Sequence, residues 1–415
     1  MTIRRLVGID LGIASAHTVR VLEESGQTIA KRKAVPTVES LTEVEVAALA
    51  GAPDGTRLEV VIEPTGPAWL PIAVFFSNRG HVVHRVSSAK ASDLRRFLSR
   101  HTKTNGIDAD TLARIPLFDP SGLQPLVLPD VDHAMLDRRV RACDRLTQTA
   151  SRHKVRIKDL VRQLLPMTES LELYGSNPSV AFSDLAAEVA TEVRLLRAVQ
   201  NELAVHASER EAAYRKVDPA GLARSLPGLA DVGGPNVIAI MGDPTRFDRG
   251  KQFRSFTGLV ARTSETGETN RKGQPMSKAG SSLLRTTFVR AADHARKQDP
   301  QLARIYHVQM VERGKDHLGA LCVVAANLAE RTWVVMRRQT PYVICDTNNR
   351  SVTPAEATAI IAEHFTVPAE VRARRRSKKM GKAPQAARTG RHERGDPPQK
   401  PSFSSTRHQV NRRPA

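Results

Sequence analysis

Cysteine is scarce: the 415 residues contain three, Cys143, Cys322 and Cys345, widely spaced and without a C-x-x-C pair. That spacing excludes a disulfide framework or a zinc knuckle and leaves core or inert surface thiols. Aromatic residues make up only 4% of the chain, too few for stacking platforms that read single-stranded bases. Contacts to phosphate are therefore expected to dominate any nucleic-acid recognition. No stretch approaches the unbroken apolar length of a membrane span and no secretory leader precedes the first apolar run, so a cytoplasmic, nucleoid-associated protein without membrane contact is expected. A G-x-x-x-x-G-K-[ST] loop and a histidine pair at helix spacing are also missing, which argues against a P-loop nucleotide site and a zinc protease. His81 and His84 stand three apart in a β-rich stretch and read as surface residues. Acid is in deficit: 63 Lys and Arg face 43 Asp and Glu, a net charge of +20 that predicts a polyanionic partner, with nucleic acid fitting better than an acidic membrane.

Acidic residues nevertheless occupy telling positions. The apolar run Leu6–Ile9 reads as a buried strand ending at Asp10, Gly12 permits a turn, and His17–Glu23 alternates well enough to return as a second strand. Leu58–Ile62 reads as another buried strand, stopped by Glu63-Pro64-Thr65-Gly66. A helix is expected after Gly106, with Asp108 and Asp110 in its first turn. Taken singly, each acid is more often a turn or cap residue than a ligand. In this strand-end, strand-end, helix order they form the set a metal-dependent nuclease needs. Magnesium takes a few carboxylates plus water and phosphate oxygens, and two ions about 3.5–4 Å apart clamp the attacking and leaving oxygens of a phosphodiester.

The length allows two or three domains, each with its own core. Residues 1–130 alternate short strands with helices, for example a helix at Leu70–Ser77 and a strand at His81–Val86, and so form an α/β domain. Pro116, Pro120, Pro125 and Pro129 then suggest a linker crossing the surface. Residues 131–217 carry apolar positions at spacings of three and four on two long helices, one including Leu136, Val140 and Leu146 and the other starting at Ser183, joined by a loop at Pro166–Phe182. Such a hairpin is either a coiled-coil or dimerisation arm or a simple packing pair. Residues 218–365 open with Leu226-Pro227-Gly228 and Gly233-Gly234-Pro235 before a helix at Asn236–Met241, resembling a helix-hairpin-helix in which the glycine amides approach phosphate. The polar segment Thr263–Gly273 reads from composition as a flexible surface excursion rather than an active-site segment. From Thr366 onward there are fourteen Lys and Arg against three Asp and Glu, a basic tail (366–415) expected to be disordered when free and to grip phosphates without sequence preference.

Together the markers Gly8-Ile9-Asp10-Leu11-Gly12, Glu63-Pro64-Thr65-Gly66, Lys103-Thr104 to Asp108-Ala109, Pro227-Gly228-Leu229, Gly242-Asp243-Pro244 with Phe247, Gly258-Leu259, and Ser277-Lys278 to Leu284-Arg285 resemble those of the DEDD transposases of the insertion-sequence one-ten type, RNA-guided DNA recombinases. The likeness covers nearly the whole chain apart from the tail. It implies an α/β ribonuclease-H-like (RuvC-like) N-terminal domain, a mostly α coiled-coil middle, and a C-terminal helix-hairpin-helix transposase domain supplying a serine nucleophile. Asp10, Glu63 and Asp108 match the first, second and last acids of that family. Asn105 stands where the family usually has Asp, which leaves Asp110 as the substitute fourth ligand. The family's serine precedes a glycine, here Gly267, which selects Ser264 with Thr266 as the second choice. The resemblance further implies Mg2+, donor and target DNA, a structured guide RNA and a homo-oligomer as partners. Nucleic-acid contacts are expected at Gly233, Gly234, Arg271, Lys272, Lys278 and Arg285. Rival readings are a junction nuclease that activates water, an actin-like ATPase sharing the D-x-G hairpin, and a non-catalytic nucleic-acid scaffold.

Overall fold

The computed structural model describes residues 4–64, 66, 68–99, 101–102, 104–169, 182–262, 265–266, 269–270 and 274–380. The β-branched first run and its return form β1 (Arg4–Asp10) and β2 (His17–Leu22), and the meander continues into β3 (Thr28–Ala34). Helix α1 (Val38–Leu49), capped by Thr37, leads to β4 (Arg57–Ile62), and α2 (Trp69–Asn78) leads to β5 (Val82–Arg85). Two capped helices follow, α3 (Ser88–Leu98) and α4 (Asn105–Phe118). The sheet order is β3-β2-β1-β4-β5, with β4 and β5 parallel to β1.

Alternation along the strands assigns two buried faces. Val7, Ile9, Val60 and Ile62 pack with Leu41 and Val44 of α1 and Ile72 and Phe76 of α2. On the opposite face Leu6 and Leu22 meet Ala113 of α4, while Val61 meets Leu112 and Ile115. Gly8 is the crossing point: a Cβ there would lie 2.0 Å from the Ala109 carbonyl oxygen and 2.4 Å from the Ala113 nitrogen. Because Ala113 rests on Leu6 while Ala109 rests on Gly8, α4 runs antiparallel to β1. Its first turn consequently lies beside the strand end at Asp10.

The proline-rich stretch is not a surface linker. Pro116 is buried in the last turns of α4, the Leu126 N–H donates to the Val83 carbonyl at 2.7 Å, and Pro125 bridges to His84, so residues 125–126 extend the sheet beyond β5. Leu126 and Leu128 then pack on the sheet core. Pro125 sits where no inward N–H is needed, as at a sheet edge.

Helices α5 (Val131–Glu169) and α6 (Phe182–Val217) pack along each other, and α5 runs past the expected start of the loop at Pro166. Their bases, Leu136, Val140, Ala213 and Tyr214, belong to a second core. That core is completed by α7 (Gly233–Met241), α8 (Gly250–Thr257), α9 (Ser282–Ala295), α10 (Pro300–Met310) and α11 (His317–Arg338), with a short hairpin of β6 (Glu265–Thr266) and β7 (Thr269–Asn270) between α8 and α9. Against expectation, α11 is long and apolar enough by composition to cross a membrane. Here Leu321, Val324, Leu328 and Val335 are buried against neighbouring helices, which makes it the central helix of the core. Asp299 and Asp316 cap α10 and α11 through the backbone N–H of Leu302 and Gly319.

Helix α12 (Pro354–His364) starts from a capping box of Thr353 and Glu356. Beyond it the expected tail begins later than residue 366. Val367 is buried, Val371 packs on the core and α13 spans Ala369–Met380, because these two valines give the segment an apolar anchor. Residues 381–415 lie outside the described residues.

Candidate acidic site

Asp10 is the last residue of β1 and Glu63 follows the last residue of β4. The parallel register Ile9↔Ile62 sets the two acids level on neighbouring strands. Alternation puts Asp10 with Leu6 and Gly8, and Glu63 with Glu59 and Val61, on the face covered by α4. Asp108 occupies the first turn of α4, whose start is fixed by Thr104 accepting from the Ile107 N–H at 3.2 Å. All three are half-buried and come to one edge of the sheet.

Asp108 is held at 3.2 Å by the Arg95 guanidinium. Asp110 is held at 2.7 Å by Arg114, one turn further along α4. Arg114 in turn lies beside Gly26, in the turn that follows β2 and at the end of β1 opposite to Asp10. Asp110 is thereby directed away from the edge that gathers the other three acids. Asn105 is exposed at the first position of α4, one turn ahead of Asp108. Among the described residues no three His, Cys, Asp or Glu side chains stand close enough together to hold a metal ion. The donor chemistry still fits a hard cation, since carboxylate oxygens are what the edge offers.

Three histidines of this domain escape the sequence reading, of which His17 adjoins the acidic edge and His84 and His81 lie further down the sheet. His17 is 2% exposed; its Nδ1 accepts from the Gly12 N–H at 3.1 Å, which closes the turn after Asp10. Burial pushes its pKa down, so the ring is neutral with its proton on Nε2, which has no partner among the described residues. His84, expected on the surface, is buried with one ring nitrogen 3.0 Å from Glu59 and the other 3.0 Å from the Gln124 carbonyl. Glu59 also accepts from Arg4 at 2.6 Å; burial would raise its pKa, but the His84 hydrogen bond and the Arg4 guanidinium outweigh that and lower it. His81 is likewise inside, bonded to Glu45 at 2.9 Å and accepting from the Leu58 N–H at 3.2 Å. Only the alternation of β5 relative to β4, invisible without the register, could have placed them.

In the helical half, Gly233 and Gly234 lie inside α7 rather than ahead of it. Gly234 is buried, its N–H bonds to the Ala230 carbonyl, and a Cβ there would come 3.1 Å from Arg224 and 3.3 Å from the Tyr214 hydroxyl. Close packing accounts for this glycine. Lys278 adopts a left-handed φ of 55°, and its carbonyl accepts from Arg285 at 3.3 Å. The segment read as a flexible excursion is a paired hairpin at its described positions: Ala261 bridges Met276, and Thr266 pairs with Thr269. Ser264, Arg271 and Lys272 lie outside the described residues, as does Gly267.

Two family models fall on these two halves. One, described as a transposase of the DEDD type of IS110 elements, matches residues 7–166, and another, described as the transposase IS116/IS110/IS902 family, matches residues 220–307. The chain belongs to the IS110-type transposases. As a member of that family it is an enzyme of transposition and DNA recombination and acts on DNA. This transposase is 23% identical over 292 residues to a pilin gene-inverting protein of Moraxella lacunata, covering 69% of this chain and 82% of that protein. A pilin gene-inverting protein of Moraxella bovis is similar to the same extent. A probable family 20 transposase of Pseudomonas aeruginosa is 31% identical over 124 residues, 28% of this chain and 35% of that protein. The first family match contains the five-stranded sheet from Val7 of β1 onward, with Asp10, Glu63 and Asp108, and the second contains α7 to most of α10.

Proposed function

We propose that this transposase cuts and rejoins DNA by a serine-nucleophile reaction assisted by Mg2+ at the acidic edge, with strand choice guided by a structured RNA. What supports the reading is that Asp10 and Glu63 stand level at one end of the sheet through the β1–β4 register and that the antiparallel run of α4 brings Asp108 to the same end; gathering them on one ion takes a closer approach than they make here. Asp10 and Glu63 would hold the ion from two strand ends, and Asp108 would join them once free of Arg95. Magnesium, when bound there, supplies charge stabilisation to the phosphodiester oxygens. Asp110 as a fourth ligand requires release of Arg114, and Asn105 offers a neutral oxygen without that cost.

Ser264, with Thr266 as its alternative, attacks phosphorus through its hydroxyl oxygen. A phosphoserine ester forms, the bond from phosphorus to one deoxyribose oxygen breaks, the hydroxyl proton passes to solvent and the freed oxygen is protonated. Reversal by a different strand end rejoins DNA without ATP. The name of the Moraxella relatives, which describes gene inversion, supports breakage with rejoining over simple hydrolysis. The ribonuclease-H-like and helix-hairpin-helix descriptions belong to this reading, as does a dimer or tetramer in which the acids of one copy meet the hydroxyl of another.

The test is denaturing electrophoresis of the protein after incubation with labelled donor DNA and Mg2+. A covalent protein–DNA adduct is expected for the wild type, absent in Ser264→Ala and in Asp10→Asn. Cleavage without any adduct, abolished by Asp10→Asn and untouched by Ser264→Ala, would instead establish water as the nucleophile. An adduct surviving Ser264→Ala and lost in Thr266→Ala would move the role to Thr266.

A further inference from the structure

Remote from the acidic edge, one face of α10 forms the floor of a groove of about 380 Å³ whose far wall is the turn at Thr347 and Asn349. Gln301, Ile305 and Gln309 follow one another at helical spacing along this floor, flanked by Arg304 and Val308, and Arg313 closes one end. Gln309 is only 4% exposed and its Oε1 has no hydrogen-bond partner among the described residues. An amide oxygen so placed is destabilising unless something completes it. Arg304 and Arg313 are exposed and have no acidic partner among the described residues.

The wall is fixed in advance. Gln301 Nε2 donates to the Asp346 carbonyl at 2.8 Å and to Asn349 Oδ1 at 3.0 Å, while its Oε1 accepts from Arg331 at 2.9 Å. Arg331 belongs to a buried group with Asp299, which is fully buried and receives the Tyr342 hydroxyl at 2.5 Å. Oδ1 of Asp346 accepts from the N–H groups of Asn348 and Arg350, at 2.8 and 2.9 Å, which fixes this turn.

We infer that this groove binds one nucleotide of a nucleic-acid strand, its phosphates on Arg304 and Arg313, its base against Ile305 and Val308, and a donor group of the base or sugar on Gln309. The inference rests on the reading of the chain as a nucleic-acid enzyme but not on the chemistry of the acidic edge. The volume is within the range of small-molecule pockets and accommodates a single base with its sugar. Two free guanidinium groups supply phosphate recognition. The Gln309 oxygen is closed off as well as unpaired, so its amide turns toward the groove to meet a donor, an N–H of an exocyclic amine or a ribose 2′-hydroxyl, and single strands expose both when a base leaves its stack. Ile305 and Val308 stand in for stacking rings, which are scarce in this sequence.

The test uses the full-length protein in EDTA, so that binding is read without cleavage, against single-stranded DNA and RNA probes of one sequence carrying 2-aminopurine. The wild type is expected to bind and to brighten the 2-aminopurine as the base unstacks. Arg304→Ala with Arg313→Ala is expected to weaken binding at least tenfold, to lower the slope of log affinity against log salt by about 1.4 at about 0.7 per phosphate on a single strand, and to remove the brightening. Gln309→Met is expected to reduce the brightening while leaving the salt slope in place. Brightening with RNA alone identifies the ribose hydroxyl as the donor, and brightening with both probes identifies the base. An arginine double variant with unchanged affinity and slope overturns the inference, as does a wild type that binds both probes without brightening either. Asp10→Asn separates the two readings: it is expected to abolish cleavage in Mg2+ while binding both probes normally in EDTA.

Discussion

Replacing Gly8 by alanine tests the contact on which the acidic edge depends. The added methyl would sit 2.0 Å from the Ala109 carbonyl oxygen and 2.4 Å from the Ala113 nitrogen, both backbone atoms of α4. Ordinary contact with such atoms needs well over 3 Å, so the helix has to retreat by roughly 1 Å or more. No rotamer change can relieve the clash, because no side chain is involved. Overpacking costs about 1–3 kcal/mol where side chains yield, and the rigid case belongs at or above the upper end, about 3–4 kcal/mol. At about 2–4 °C per kcal/mol for a unit of this size, melting should fall by roughly 10 °C. Activity should fall further than stability explains, since Asp108 rides on the displaced helix and a 1 Å misplacement costs about a hundredfold. The assay is thermal melting by circular dichroism, followed by adduct formation at a temperature where the variant is fully folded. A melting point within about 2 °C of the wild type, with full activity, would show that α4 does not cross β1 at Gly8.

Truncation after Met380, which spares Val367 and Val371, should weaken nonspecific binding to DNA or RNA and flatten its salt dependence while leaving strand cleavage intact; an unchanged salt slope in a filter-binding titration would count against a phosphate-gripping tail. The Arg224 guanidinium, aided by Arg215, holds the Glu211 carboxyl down to about 2 from an ordinary value of 4.5. Because the folded-state pKa is the lower one, this contribution is complete above about pH 4.5 and is lost as the pH falls toward 2. Melting curves of Glu211→Gln and wild type should therefore converge across that window, and parallel curves would refute the pairing.

Local pattern alone reached the strands that carry Asp10 and Glu63 and the helix that carries Asp108, with boundaries close to those observed. Helix α2 was expected at Leu70–Ser77 and runs Trp69–Asn78, and β5 was expected at His81–Val86 and runs Val82–Arg85. Those elements are dictated by short-range periodicity and by caps such as Thr104. What escaped depends on partners distant in the chain. His84 reads as a surface residue until β5 is set beside β4, where it meets Glu59. Pro125 looks like a linker until the Leu126 N–H finds the Val83 carbonyl. Gly234 suggests an exposed amide until Tyr214 and Arg224 are seen to leave no room for a side chain. The Asp110 pairing with Arg114 follows from helix spacing alone and could have been anticipated.

The antiparallel course of α4 over β1 has an electrostatic consequence for the resting enzyme. A helix of 14 residues directs its aligned peptide dipoles so that about half a positive charge gathers at its N-terminal turn, which is the turn beside Asp10. Clustered carboxylates repel one another before any cation arrives, and this fixed backbone charge offsets part of that repulsion. The fold thus sets a permanent positive end beside the acids before any cation arrives, which a mobile counter-ion would otherwise have to supply.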